Sequence, residues 1–89
     1  MSDRFDELRA EITANDELIV EAVNRRIDLV RELWEIKRER GLDQLDTGRE
    51  RALLEALALR NRGPLGEEGL EELVTELLAI TRRELRRSE

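Results

Sequence analysis

The sequence contains no cysteine and no histidine among its 89 residues. Without cysteine there is no disulfide and no thiolate nucleophile, and without histidine there is no imidazole for acid–base catalysis. Most transition-metal sites use one of these two residue types, so we predict neither a metal nor a cofactor. Many enzyme mechanisms depend on one of these groups, whereas a reaction that is accelerated by fixed charge and by shape needs none of them.

Aromatic residues are almost absent too, at 2% of the chain. The core must therefore be built from Leu, Ile, Val and Ala, and with 43% charged residues this composition is typical of long helices rather than sheets. No apolar run approaches a membrane span and the first residues form no apolar leader, so we expect one cytoplasmic domain over residues 1–89, without a membrane partner. The net charge of −6 argues against nucleic acid as a partner.

Apolar residues at spacings of three and four predict one long amphipathic helix from about Asp3, an N-cap, to about Arg40. A second helix is predicted from near Asp46, and Gly-Pro within residues 60–64 ends it. A third begins near residue 67 with glutamates and ends with arginines, as the helix dipole favours. The predicted fold class is all-α, with one long and two shorter helices.

The predicted helix lengths do not match each other. A helix of about 38 residues, roughly 55 Å long, is too long for the two shorter ones to cover. An uncovered apolar stripe favours a partner helix, and the simplest partner is a second copy of the chain. We therefore expect an intertwined homodimer.

Two cations lie on or beside the apolar stripe. Lys37, a single lysine against 15 arginines, follows Arg26 by eleven residues, so the two point in similar directions about 16 Å apart. Cations in such places are costly unless an anion meets them, which favours a polyanionic ligand between helices. The plainer interpretations are an arginine reaching solvent at the interface edge and a lysine near the helix C-terminus.

Other candidate site residues are distributed along the chain. Asp46, Arg49 and Glu50 form an ordinary capped helix start, or else a corner where an anion or hydroxyl binds. Thr81 interrupts the apolar stripe of the third helix, where threonine usually bonds to a carbonyl one turn earlier. Arg9 is either a solvated charge near Asp6 and Glu11 or a residue that reaches the Arg26–Lys37 region of an antiparallel partner.

In combination these elements resemble the all-helical (AroQ-class, type II) chorismate mutases. The segments that carry the resemblance span about residues 5–85 and include Leu8-Arg9-Ala10-Glu11-Ile12, Asn15-Asp16, Arg25-Arg26, Trp34-Glu35-Ile36-Lys37, Asp46-Thr47-Gly48-Arg49-Glu50-Arg51 and Thr81. Each motif alone is weak, but their order and separations together form a stronger signal.

The resemblance implies a dimer with two shared active sites that convert chorismate to prephenate in aromatic amino-acid biosynthesis (the Phe/Tyr branch of the shikimate pathway). It implies that Arg9 of one chain and Arg26 of the other clamp the two substrate carboxylates. Lys37 would face the ether oxygen, and Thr81 would lie near a carboxylate. Asp46 and Glu50 would address the ring hydroxyl, with Arg49 supporting that corner; Lys37, Arg26 and Glu50 are the residues assigned to catalysis.

One position departs from the family pattern. Where relatives commonly carry Gln, sometimes Glu, one turn after Thr81, this chain has Leu85, and Glu84 beside it points about 100° away. Either the last helix is shifted in register, or another group substitutes, or the activity is weakened. Some short relatives depend on an activating partner enzyme, which would suit an incomplete corner.

The chemistry fits the missing residue types. The rearrangement of chorismate is pericyclic and needs no nucleophile, proton transfer, metal or cofactor; it is accelerated by holding the compact conformer and by placing positive charge at the breaking C–O bond. Two alternatives remain open. One is an isochorismate pyruvate lyase of the same fold, which would use the same cationic clamp, and the other is a non-catalytic helical dimerisation module.

Overall fold

The computed structural model describes residues 3–43 and 47–88, which form three α-helices. Helix α1 spans Arg4–Arg40, α2 spans Thr47–Arg60 and α3 spans Glu67–Arg87. The predicted all-α class, with one long helix and two shorter ones, is confirmed. The predicted start of the second helix at Asp46 lies outside the described residues.

The ends of α1 have the predicted chemical causes. Asp3 is extended, and its Oδ1 accepts a 2.9 Å hydrogen bond from the backbone N–H of Asp6, which satisfies a donor of the first turn. At the other end Gly41 has φ 67°, a left-handed conformation that costs glycine little. Acidic residues in the first turn and basic residues in the last complement the helix dipole.

The turn between α2 and α3 is held by Asn61. Its Nδ2 donates to the carbonyl of Leu65 at 2.8 Å, and its Oδ1 accepts from the N–H of Gly63 at 3.0 Å. Both bonds replace backbone pairings that the chain loses where the helix stops. The turn therefore folds α3 back along α2.

Helix α3 is the centre of the protomer. Both α1 and α2 pack on it, and within the described residues they do not pack on each other. The four buried side chains of the described residues all belong to α3 and fall on one face at helical spacing: Leu70, Val74, Thr81 and Leu85. A core of this size leaves most of α1 without cover.

The N-terminal half of α1 projects away from the other helices. Every residue from 3 to 22 is exposed, including apolar side chains of the predicted stripe such as Phe5 (63% exposed), Ile12 (58%) and Ile19 (53%). A contiguous exposed apolar face of this length is unusual on a monomeric protein. Within the described residues no helix is long and apolar enough to cross a membrane.

Candidate active site

A direct contact joins α1 to α3. Arg26 lies on α1, half-buried, and its Nη1 donates a hydrogen bond of 2.6 Å to Oγ1 of Thr81 on α3. Thr81 is 2% exposed, and its hydroxyl donates in turn to the carbonyl of Leu77 at 2.6 Å. The bond to the carbonyl one turn earlier was the plainer interpretation of Thr81, and it is confirmed. The same oxygen also orients the guanidinium, because a hydroxyl both donates and accepts.

The surroundings of Arg26 disfavour its positive charge. Burial lowers the pKa of Arg26 below its ordinary value, and the nearby positive charge of Arg82 lowers that pKa further. Both causes act against the charged form, although an arginine remains protonated near neutral pH. Arg26 therefore occupies a position where a bound anion would be favoured electrostatically.

An ion pair joins α2 to α3. Nη2 of Arg82 contacts Oε1 of Glu50, and both side chains are about one-third exposed. Glu50 lies in the first turn of α2, as the sequence predicts. Arg82 thus pairs with Glu50, and its positive charge also acts on Arg26.

Lys37 and Arg49 take different positions. Lys37 is half-buried in the last turn of α1. Arg49 is exposed near the start of α2. Asp46, the remaining member of the predicted acidic corner, lies outside the described residues.

Arg9 does not reach this region within one protomer. It lies in the exposed half of α1, about 25 Å along the helix from Arg26. Its guanidinium is 5.2 Å from the centroid of the Phe5 ring, and Glu11, one of its predicted ion-pair partners, pairs instead with Arg4 at 3.2 Å. Arg9 is thus an exposed cation beside an exposed aromatic side chain, on the same uncovered face.

The position that departs from the family pattern is apolar and enclosed. Leu85 is 3% exposed and lines a groove between α1 and α3 with Trp34 and Arg31. Glu84 beside it is directed elsewhere and pairs with Arg87. Thr81 and Leu85 lie one turn apart, and both are on the buried face of α3.

Arg82 is the residue of this region that the sequence did not single out. In the sequence, Arg82 is one of four arginines near the C-terminal end of α3, where positive charge is favoured by the helix dipole. The only local signal was its position directly after Thr81. Its pairing with Glu50 depends on how α2 and α3 pack, which a linear pattern does not specify.

Comparisons with known proteins identify the family to which the chain belongs. A family model described as chorismate mutase type II matches residues 8–85. The chain is similar to the solved structure of a chorismate mutase (form I) from Thermus thermophilus, with 29% identity and a TM-score of 0.85 over 89% of this chain and 99% of that one. A search of curated protein sequences gave no significant match. Since the family model covers most of the chain and the solved structure shares its helical architecture, the protein belongs to the type II chorismate mutase family and is an isomerase that acts on chorismate.

Proposed function

We propose that this isomerase converts chorismate to prephenate in a site shared by two copies of the chain. The observation that supports it best is the 2.6 Å hydrogen bond from Arg26 of α1 to buried Thr81 of α3. This bond holds the half-buried Arg26 against the buried face of α3. A cation in that place is well suited to a substrate carboxylate. The residues proposed to bind the substrate are Arg26, Lys37, Asp46, Arg49, Glu50 and Thr81 of one chain and Arg9 of the other.

The proposed mechanism is electrostatic and conformational. Arginines that grip both carboxylates would hold the substrate in the compact conformer in which the new C–C bond forms, which removes much of the entropic barrier. Lys37 would donate to the ether oxygen, where negative charge accumulates as the C–O bond breaks. Because these charges are fixed before the substrate arrives, little reorganisation is needed at the moment of reaction.

The acidic corner has a separate role in this proposal. Glu50 and Asp46 would accept a hydrogen bond from the ring hydroxyl of chorismate, which orients the ring relative to the carboxylate clamp. The pairing of Glu50 with Arg82 supports this role, since it compensates the negative charge of Glu50 while leaving its second oxygen available.

The exposed half of α1 supports the homodimer. Its apolar face has no cover within the protomer, and Arg9 on the same segment is too far from Arg26 to share a site with it in one chain. Two-fold pairing would bury both faces and bring each Arg9 to the other copy's site. Site completion and burial of apolar surface would then have the same structural cause.

The buried Leu85 bears on how active the isolated protein is. It offers no hydrogen-bond donor at a position where relatives commonly have one. An activating partner enzyme of the same pathway would be one way to compensate. The Phe/Tyr branch as the destination of the product and the cytoplasm as the compartment stay predictions.

A direct comparison of substrates tests the proposed function. Purified protein is expected to consume chorismate and form prephenate, with little release of pyruvate from isochorismate. Pyruvate release that exceeds prephenate formation would favour the lyase alternative instead. Absence of turnover of either substrate, alone and with an enzyme of the same pathway added, would contradict the proposal.

A further inference from the structure

Arg82 connects two residues of the proposed site without itself belonging to the predicted set. Its guanidinium pairs with Oε1 of Glu50 on α2, and its charge acts on Arg26 of α1, while its own backbone follows Thr81 on α3. Arg82 on α3 thus interacts with residues of both α1 and α2, the two helices that pack on α3.

The ion pair is not an ordinary surface contact. The side chains of Arg82 and Glu50 are 35% and 29% exposed, so water screens their attraction less than it does for fully exposed pairs. By contrast Arg83, the next residue, is 53% exposed and lies 3.9 Å from Glu76, itself 66% exposed. The two neighbouring arginines therefore provide a partly buried pair and a matched solvent-exposed one.

The geometry of the pair leaves Glu50 able to act on a ligand. A carboxylate has two oxygens and about four acceptor positions, and Arg82 uses Oε1. Acceptor capacity therefore remains for a substrate hydroxyl. The salt bridge also restricts the rotamers of Glu50, so less conformational entropy is lost when that hydroxyl binds.

The Arg82–Glu50 pair also changes the net charge that the dianionic substrate encounters in the site. An unpaired Glu50 carboxylate in the proposed site would repel a substrate with two negative charges, whereas a carboxylate paired with arginine presents little net charge. Arg82 would thus allow Glu50 to accept a hydrogen bond from the substrate hydroxyl in a site that also binds the substrate carboxylates.

From these relations we infer that Arg82 is a positioning residue of the chorismate site, acting through Glu50 by fixing its carboxylate and compensating its charge. This inference rests on the proposed function, which assigns Glu50 to the substrate hydroxyl. It assigns Arg82 no contact with the substrate.

A double-mutant cycle tests the inference. The set comprises Arg82→Gln, Glu50→Gln, the double variant and, as the matched control, Arg83→Gln. We expect Arg82→Gln and Glu50→Gln each to lower kcat/KM for chorismate by about tenfold or more. The double variant is expected to lie within about twofold of Glu50→Gln alone, because once the carboxylate is gone Arg82 has nothing to position. Arg83→Gln should stay within about twofold of the unmodified protein.

Two further measurements separate positioning from folding. Arg82→Lys retains the charge but not the planar fork, so it is expected to recover part of the activity that Arg82→Gln loses. Rates are compared at a temperature where circular dichroism shows each variant folded. If Arg82→Gln does not fold, Arg82→Lys with and without Glu50→Gln provides the same cycle.

The outcomes distinguish this inference from the proposed function. If the Arg82 substitution costs as much in the Glu50→Gln background as in the unmodified protein, Arg82 acts independently of Glu50 and the inference is wrong. If Glu50→Gln is impaired while Arg82→Gln is not, the inference also fails, but the role of Glu50 stands. If Glu50→Gln turns over chorismate normally, the proposed role of Glu50 fails, and the inference with it.

Discussion

The guanidinium of Arg26 on α1 and the hydroxyl of Thr81 on α3 are 2.6 Å apart, and this hydrogen bond joins the two helices at a buried point. The same hydroxyl donates to the carbonyl of Leu77, so its geometry is determined from both sides. Because Thr81 is enclosed, the bond holds Arg26 toward the interior rather than toward solvent. Thr81, a polar residue on the otherwise apolar face of α3, thereby orients the guanidinium of Arg26 in the proposed site.

Replacing Thr81 with Val retains the shape of the side chain and removes the hydroxyl. We expect the free energy of unfolding to fall by about 1–3 kcal/mol, since Arg26 loses a buried acceptor. We also expect kcat/KM for chorismate to fall by about tenfold, because the guanidinium is less well oriented. Urea unfolding and chorismate absorbance measure the two effects. Thr81→Ser keeps the hydroxyl and is the matched control, so it should retain more stability and activity than Thr81→Val. A Thr81→Val variant that loses neither would show that the hydroxyl is not needed.

Lys37→Ala distinguishes an enzyme from a dimerisation module. Under the proposed mechanism kcat should fall by about 100-fold or more while the helical content is unchanged, because a donor to the developing negative charge is lost. In a non-catalytic bundle the same change would be neutral or stabilising, because it removes a half-buried cation. Arg40→Ala, an exposed cation in the same last turn, should leave turnover unchanged. A chorismate absorbance assay with circular dichroism decides between the two results.

Mixing inactive variants tests whether sites are shared between chains. In an equimolar mixture of Arg9→Ala and Lys37→Ala, half of the dimers are mixed and each has one intact site, so about a quarter of full activity should return. As a control, Arg26→Ala mixed with Lys37→Ala should recover nothing, since both residues belong to the same half of a site. Recovery in neither mixture after subunit exchange would contradict the shared site.

Ile12→Glu tests the uncovered face of α1. Ile12 is 58% exposed in the protomer, and a charge buried at a two-fold interface would be costly. We expect this variant to elute as a monomer and to lose activity. Ala14 is also exposed but points about 160° away from Ile12 on the helix, so Ala14→Glu should remain dimeric. Sedimentation velocity measures the oligomeric state of both variants. An unmodified protein that sediments as a monomer would refute the homodimer directly.

The helices were predictable because their signals are local. Asp3 caps α1 with its own side chain and Gly41 ends it by adopting a left-handed conformation, and both effects depend on residues only a few positions apart. The apolar spacing of α1 likewise predicted the stripe whose N-terminal half is uncovered in the protomer. Arg26 and Lys37 stood out for the same reason, since they lie on or beside that stripe.

Contacts between helices were not predictable in the same way. Thr81 was expected to bond to the carbonyl one turn earlier, which it does, but its pairing with Arg26 depends on how α1 rotates against α3. The end of α3 carries four arginines, and only the packing of α2 on α3 selects Arg82 for Glu50. Side chains so far apart along the chain leave no joint periodicity from which such a pairing can be inferred.

The amino-acid sequence by itself determined the helical class and the ends of α1, because capping and periodicity act over short distances. The tertiary structure decided which charges meet: Arg26 with Thr81, and Glu50 with Arg82. That division has a physical reason, since the rotation and crossing of packed helices are settled by the whole buried surface, and a shift of one residue in the packing would change every partner.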